Sequence, residues 1–178
     1  MCLNSSQISK CVESMRIIID DREKETQLLK DRIEQFKCET IRRRLDFGDY
    51  SVECDLPDGR ILSLENYVSI ERKMDLSELA MCFTSDRTRF IKEFERAALH
   101  CAKIYLLVEK GSWEKAYAGI YKSHMSSKAM IGSLTTWLAR YNCQLIFCDP
   151  GTSGKLIYDV LMHELKEVLK EYNEEGKI

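Results

Sequence analysis

Residues 67–75 read YVSIERKMD, an apolar run that ends in three adjacent charges of mixed sign. Successive side chains of an extended chain alternate between faces, so Glu71 and Lys73 share one face while Arg72 takes the other. An acid and an ammonium held side by side supply one group that ligates a cation and one that orients water or offsets phosphate charge. Two further acids occupy comparable places: Asp20 ends the β-branched run RIIID, and Asp49 sits in the triplet GDY. Carboxylates suit Mg²⁺ or Mn²⁺, hard cations that keep several waters for substrate and nucleophile. With Asp20, Asp49 and Glu71 as ligands and Lys73 beside the water, the chemistry is metal-assisted hydrolysis of a phosphodiester. Taken alone, an acid two residues before a lysine reads first as a solvated edge-strand ion pair. The joint pattern of three strand-associated acids carries the inference.

The elements that must position these residues follow from hydrophobic spacing. RIIID reads as a buried strand, and residues 23–37 carry Leu28, Leu29, Ile33 and Phe36 at helical spacing. Extended pattern returns in CETIRRRLDF, and strands on either side of the turn PDGR form a hairpin that leads into the IERK strand. Asp75 begins a short helix with Glu78 three residues later, the spacing of a capping box. A helix over residues 86–101 places Phe90, Phe94, Ala97, Ala98 and Cys101 on one face. KIYLLVE is a buried strand, residues 126–141 a helix, CQLIFC a strand, and residues 153–172 a final helix. Strands alternating with helices after an early hairpin predict an α/β fold, a mixed sheet with helices on both faces.

The composition fits an ordinary globular protein of one domain: 178 residues, 44% hydrophobic and 31% charged, with no linker or repeat that divides it. We divide it into an N-terminal extension (1–14), a catalytic unit (15–173) and a tail (174–178). No apolar run approaches the roughly 20 residues of a membrane span, and MCLNSSQISKCVES has neither signal-peptide nor transit-peptide character, so a cytoplasmic location with no membrane contact is expected. The 8 cysteines, without a C-x-x-C pair, read as reduced thiols. A net charge of −2, from 27 Lys+Arg against 29 Asp+Glu, argues against a general nucleic-acid coat and requires any such contact to be local. Arg87 and Arg89, near a helix start that favours anions, are the leading candidates for it, with Arg87 ranked first.

The stretches IIIDDRE, LDFGDYSV and VSIERKMDLSEL, followed by SDRTRF, resemble in order the nuclease domain of the XPF family (xeroderma pigmentosum complementation group F). That family is a branch of the restriction-endonuclease-like PD-(D/E)XK superfamily. The resemblance implies a restriction-endonuclease-like fold and a Mg²⁺- or Mn²⁺-dependent endonuclease that cuts DNA, at branched or structured sites in repair or recombination. It places the family's D-x-R-E acids on Asp20 and Glu23, its G-D-Y acid on Asp49, and its E-R-K residues on Glu71, Arg72 and Lys73. By the same carry-over Asp20, Asp49 and Glu71 hold the metal, Lys73 serves the water, and Arg72, Arg87 and Arg89 meet DNA. Family members pair through their nuclease domains, which implies a homodimer; a targeting protein is the other partner expected.

Two departures stand out. The family pattern E-R-K-x-x-x-D puts Ser77 where an aspartate belongs, with Asp75 and Glu78 beside it, and helix capping accounts for all three as well as an accessory catalytic role does. Relatives also append tandem helix-hairpin-helix domains, whereas little more than one helix follows CQLIFC, as in small bacterial or phage-encoded members. These departures favour an alternative, a non-catalytic DNA-binding or assembly module that retains the fold.

Overall fold

In the computed structural model, which describes residues 3–172, RIIID forms β1 (Arg16–Asp20), buried at every position after Arg16. Residue 173 and the expected tail at 174–178 lie outside the described residues. Two flanking segments shape its neighbourhood. Before it, α1 (Ser5–Glu13) starts at a reciprocal cap in which Asn4 Oδ1 accepts the Gln7 N–H and Gln7 Oε1 accepts the Asn4 N–H. The expected extension is thus a helix, with Cys11 buried in the core. After β1, the Asp20 carboxylate accepts the Arg22 N–H at 2.8 Å and holds the chain in a turn, so α2 (Gln27–Ile33) is shorter than its apolar spacing predicts and starts at a Thr26 cap.

Among the described residues seven strands form one mixed sheet in the order β2-β1-β3-β5-β6-β7, with β4 beside β3. β2 (Glu39–Arg43) runs parallel to β1, and β3 (Tyr50–Asp55) antiparallel to it. The predicted hairpin is β3 with β4 (Ile61–Ser63), closed through Gly59 at φ +82°. β5 (Val68–Lys73) meets β3 at Tyr50 opposite Ile70, then runs parallel to β6 (Lys103–Glu109), which is parallel to β7 (Cys143–Cys148).

The alternation of β5 and β6 divides the core in two. Val68, Ile70, Tyr105 and Leu107 face α1, α2 and α7 (Ser153–Glu171). Ile104, Leu106 and Val108 face α3 (Leu76–Phe83), α4 (Arg87–Leu99), α5 (Trp113–Ala118) and α6 (Ser127–Arg140). Helices therefore cover both faces, as expected. Trp137 sits fully buried in the second core, its ring stacked on Phe90 at 5.4 Å and near Phe83 and Phe94. The apolar stripe of α7 packs within the chain: Ile157, Leu161, Leu165 and Leu169 are all fully buried. No helix among the described residues is long and apolar enough to cross a membrane.

Candidate active site

The ends of β1 and β5 and the start of β3 meet at one edge of the sheet. The Asp20 N–H donates to the Asp49 carbonyl at 2.9 Å, and the Asp49 N–H donates to the Ile70 carbonyl at 2.8 Å, so three separate motifs are stitched together by backbone. Gly48 makes this possible. Its φ is +72°, and a Cβ there would fall 2.5 Å from Ser69 Oγ and 2.7 Å from Ser69 Cβ. Gly48→Ala is expected to cost about 2–4 kcal/mol, from left-handed strain plus overpacking, and to displace Asp49. Urea unfolding of the purified variant checks the figure.

A cleft of about 570 Å³ opens over this edge, lined by Asp20, Glu23, Asp49, Glu71, Arg72, Lys73 and Glu78, and by residues of α4. Glu71 and Lys73 are 3% and 6% exposed and hydrogen-bonded to each other through Glu71 Oε1. Glu71 Oε2 is buried without a hydrogen-bond partner. Desolvation, countered by Lys73 and reinforced by Glu93, pushes the Glu71 carboxyl up to about 7. Desolvation and the adjacent Glu71 charge also raise the Asp49 carboxyl well above the usual range. Burial works against the Lys73 ammonium, but Glu71 and Asp49 outweigh it and keep Lys73 firmly protonated. A lysine held charged in this way does not act as a neutral base.

Other expected residues take different places. Asp20 is engaged on both oxygens: Oδ1 accepts Arg22 N–H and Nε–H, and Oδ2 accepts Arg22 Nη2–H and the Leu45 N–H at 2.9 Å. Desolvation opposes the charge, yet these bonds hold its carboxyl below the ordinary value. Asp20 lines the cleft, and in this geometry four N–H groups occupy its two oxygens. Arg72, expected at DNA, leaves β5 on the face opposite Glu71 and Lys73 and joins the cleft wall, 3.4 Å from Glu109 and 4.0 Å from Glu23. Glu23 also accepts from Tyr50 Oη at 3.5 Å. Arg87 packs over the Trp137 ring at 5.6 Å and donates to the Phe83 carbonyl, away from the cleft, whereas Arg89 lines it.

The three capping candidates separate as well. Asp75 caps α3, accepting the Ser77 and Glu78 N–H groups. Ser77 Oγ accepts the Lys122 N–H at 3.0 Å and so anchors the loop before α6. Glu78 lines the cleft, accepting the Met74 N–H and standing 3.9 Å from Lys73. Residues unforeseen from sequence complete the walls: Arg22, Lys24 and Arg96, all exposed, form a basic rim with Arg89, and Glu93 of α4 faces the floor. A D-x-R spacing and the i, i+4 and i+7 positions of α4 (Arg89, Glu93, Arg96) are the signals that pointed to them.

Asp49 and Glu71 suit a divalent cation on the chemistry of their donors: two carboxylates, one with a buried oxygen that no hydrogen bond satisfies. As the side chains stand, no three Asp, Glu, His or Cys among the described residues are gathered at ligand spacing.

The sequence model of the ERCC4 domain matches residues 19–159. An XPF from Aeropyrum pernix superposes with a TM-score of 0.59 at 18% identity, over 82% of this chain and 64% of that one. An XPF from Aeropyrum pernix in complex with DNA superposes with a TM-score of 0.56 at 16% identity, over 90% of this chain and 69% of that one. At these identities the likeness is one of fold, and the chain spans about 64% of the first archaeal structure. No curated protein matches. The match at 19–159 takes in the end of β1 with Asp20, the GDY turn, the IERK strand and α4, and so every residue that lines the cleft, and the chain belongs to the ERCC4 domain family.

Proposed function

We propose that the chain is a divalent-metal-dependent endonuclease that hydrolyses DNA phosphodiesters, with branched or structured DNA, as met in repair or recombination, as its substrate. One observation carries this reading: a floor of Asp49, Glu71 and Lys73 lies in a cleft rimmed by the exposed Arg22, Lys24, Arg89 and Arg96. Basic groups at the rim grip backbone phosphates, while acids at the floor need a cation before an anionic substrate can approach. Asp49 and Glu71 would hold Mg²⁺ or Mn²⁺, which when bound supplies Lewis-acid stabilisation of the phosphate and activation of water. Lys73 holds Glu71 Oε1 in place and puts a fixed positive charge next to the scissile phosphate. The bond from the Arg72 N–H to Asp49 Oδ2, at 2.8 Å, orients the second carboxylate. Membership in the ERCC4 domain family and the DNA bound to a structural relative support the same reading. A second subunit of this chain or a targeting protein is part of the proposal, since the basic surface at the cleft is small.

The rival reading, a DNA-binding or assembly module without catalysis, is favoured by Ser77, which anchors a loop where the family pattern has an acid. Labelled flap, fork, four-way-junction, single-stranded and duplex DNA, incubated with Mg²⁺, Mn²⁺ or EDTA, separates the two. Metal-dependent cleavage supports the nuclease, and DNA binding without cleavage supports the module.

Because Glu71 titrates near 7, protons and metal compete for it below that pH. Mn²⁺ affinity is expected to fall about tenfold per pH unit below 7 and to level off above it. Calorimetric titration at a series of pH values checks this; a flat profile contradicts Glu71 as a ligand.

A further inference from the structure

The cleft floor holds one acid that the motif-based set leaves out. Glu93 projects from α4 into the cleft occupied by Asp49 and Glu71. Its Oε1 accepts the Gly48 N–H at 3.0 Å, which ties α4 to the turn that carries Asp49. The Glu93 charge also acts on Glu71 and raises its carboxyl. Two ionised carboxylates offer each other no donor, and Lys73 is already engaged with the other oxygen of Glu71. Glu71 Oε2 is consequently buried and unpartnered, in a side chain 3% exposed that lines the cleft. Buried charges are paired or coordinate metals. Asp20 provides no ligand to complete the set, since Arg22 and Leu45 occupy its oxygens.

We propose that Glu93 is the third carboxylate of the divalent-cation site, facing Glu71 Oε2 across the position of the ion and held there by the Gly48 N–H. The inference rests on the nuclease reading for the identity of the ion. Glu93 is half-buried, and the site requires its carboxylate to rotate toward Glu71, since the side chains as they stand do not reach ligand spacing. Of its two oxygens, one keeps the backbone bond and the other turns to the cation. The site would then join β3, β5 and α4, and metal binding would clamp the helix that bears Arg89 and Arg96 against the sheet.

Glu93→Gln tests this, because glutamine keeps an acceptor for the Gly48 N–H but loses the charge. Glu95→Gln, exposed on the same helix and outside the cleft, is the control. Mn²⁺ binding is followed by calorimetry and by the electron paramagnetic resonance of free Mn²⁺, and melting is measured in EDTA. The expected result is at least about tenfold weaker Mn²⁺ binding in Glu93→Gln, an EDTA melting temperature equal to or above the parent's, and no change in Glu95→Gln. Parental Mn²⁺ affinity in Glu93→Gln overturns the assignment while leaving the nuclease reading intact. Weaker binding together with a lower melting temperature in EDTA also overturns it, in favour of a structural role for the Gly48 bond. Absence of Mn²⁺ binding in the parent chain overturns both readings.

Discussion

Glu71→Gln is expected to lower DNA cleavage about 10³-fold while the melting temperature in EDTA stays level or rises. The substitution removes the charge proposed to hold the metal without changing shape. Gln Oε1 still accepts from Lys73, and the new amide provides a donor where Glu71 Oε2 has none. Lys73 keeps the Asp49 charge nearby and Glu78 at 3.9 Å. The pH response gives a second readout. Glu71 is held near 7 in the fold against an ordinary 4.5, so between these values the folded chain keeps a proton that the unfolded chain has released. Stability from this group is therefore present at low pH and declines as pH rises from about 4.5 to 7. Glu71→Gln should flatten that decline in EDTA. Cleavage retained by the purified variant would remove Glu71 from the site.

Arg32→Met is expected to destabilise the fold by about 3–5 kcal/mol and lower the melting temperature by roughly 10 °C. Arg32 is 4% exposed, and its guanidinium donates to Glu109 Oε1 at 3.0 Å, Tyr50 Oη at 3.1 Å and Ser153 Oγ at 3.3 Å. It thereby joins α2, β6, β3 and α7 in a single buried knot. Methionine fills most of the volume but strands Glu109, 1% exposed, with Arg72 at 3.4 Å as its remaining charged partner. The penalty is the unpaired charge, so Arg32→Met combined with Glu109→Gln should recover part of it. Chemical denaturation of the two single variants and the double variant measures the coupling. A cost below about 1 kcal/mol for Arg32→Met would show that the knot is not needed for stability.

How much of this was legible from sequence depended on how local the determining contacts are. β1, β6 and β7 were readable because apolar runs of strand length stand between turn signals, and α6 and α7 because their spacing is long and regular. α1 and α5 escaped: each is short, and the Asn4–Gln7 cap is a faint signal beside a long apolar stripe. α2 was overextended since periodicity does not reveal that the Asp20 carboxylate captures the Arg22 N–H. In the site, Asp49, Glu71 and Lys73 were legible from strand alternation and family resemblance. The choice between Arg87 and Arg89 was not: two residues along a helix point to nearly opposite faces, and packing against Trp137 decides between them. Glu93 was hidden for a related reason, because a glutamate on an amphipathic helix looks solvated until the fold brings Gly48 to it. Arg72 needed a partner 37 residues away in sequence.

The split of β5 between two faces also bears on how the sheet finds its pairing. Glu71, Arg72 and Lys73 lie opposite Leu106, Leu107 and Val108, and each charge has its counter-group on its own side. A slip of one residue would exchange the sides: Arg72 would enter the acidic floor of the cleft, and Glu71 would be driven toward Glu109, which would keep Arg32 but lose Arg72 as a counter-charge. An apolar strand tolerates such a slip with little to distinguish the two arrangements, but this one meets like charges in a dry interior. The triplet proposed for the chemistry thus also acts as a proofreading device for folding, and substitutions that neutralise it are expected to loosen strand registration.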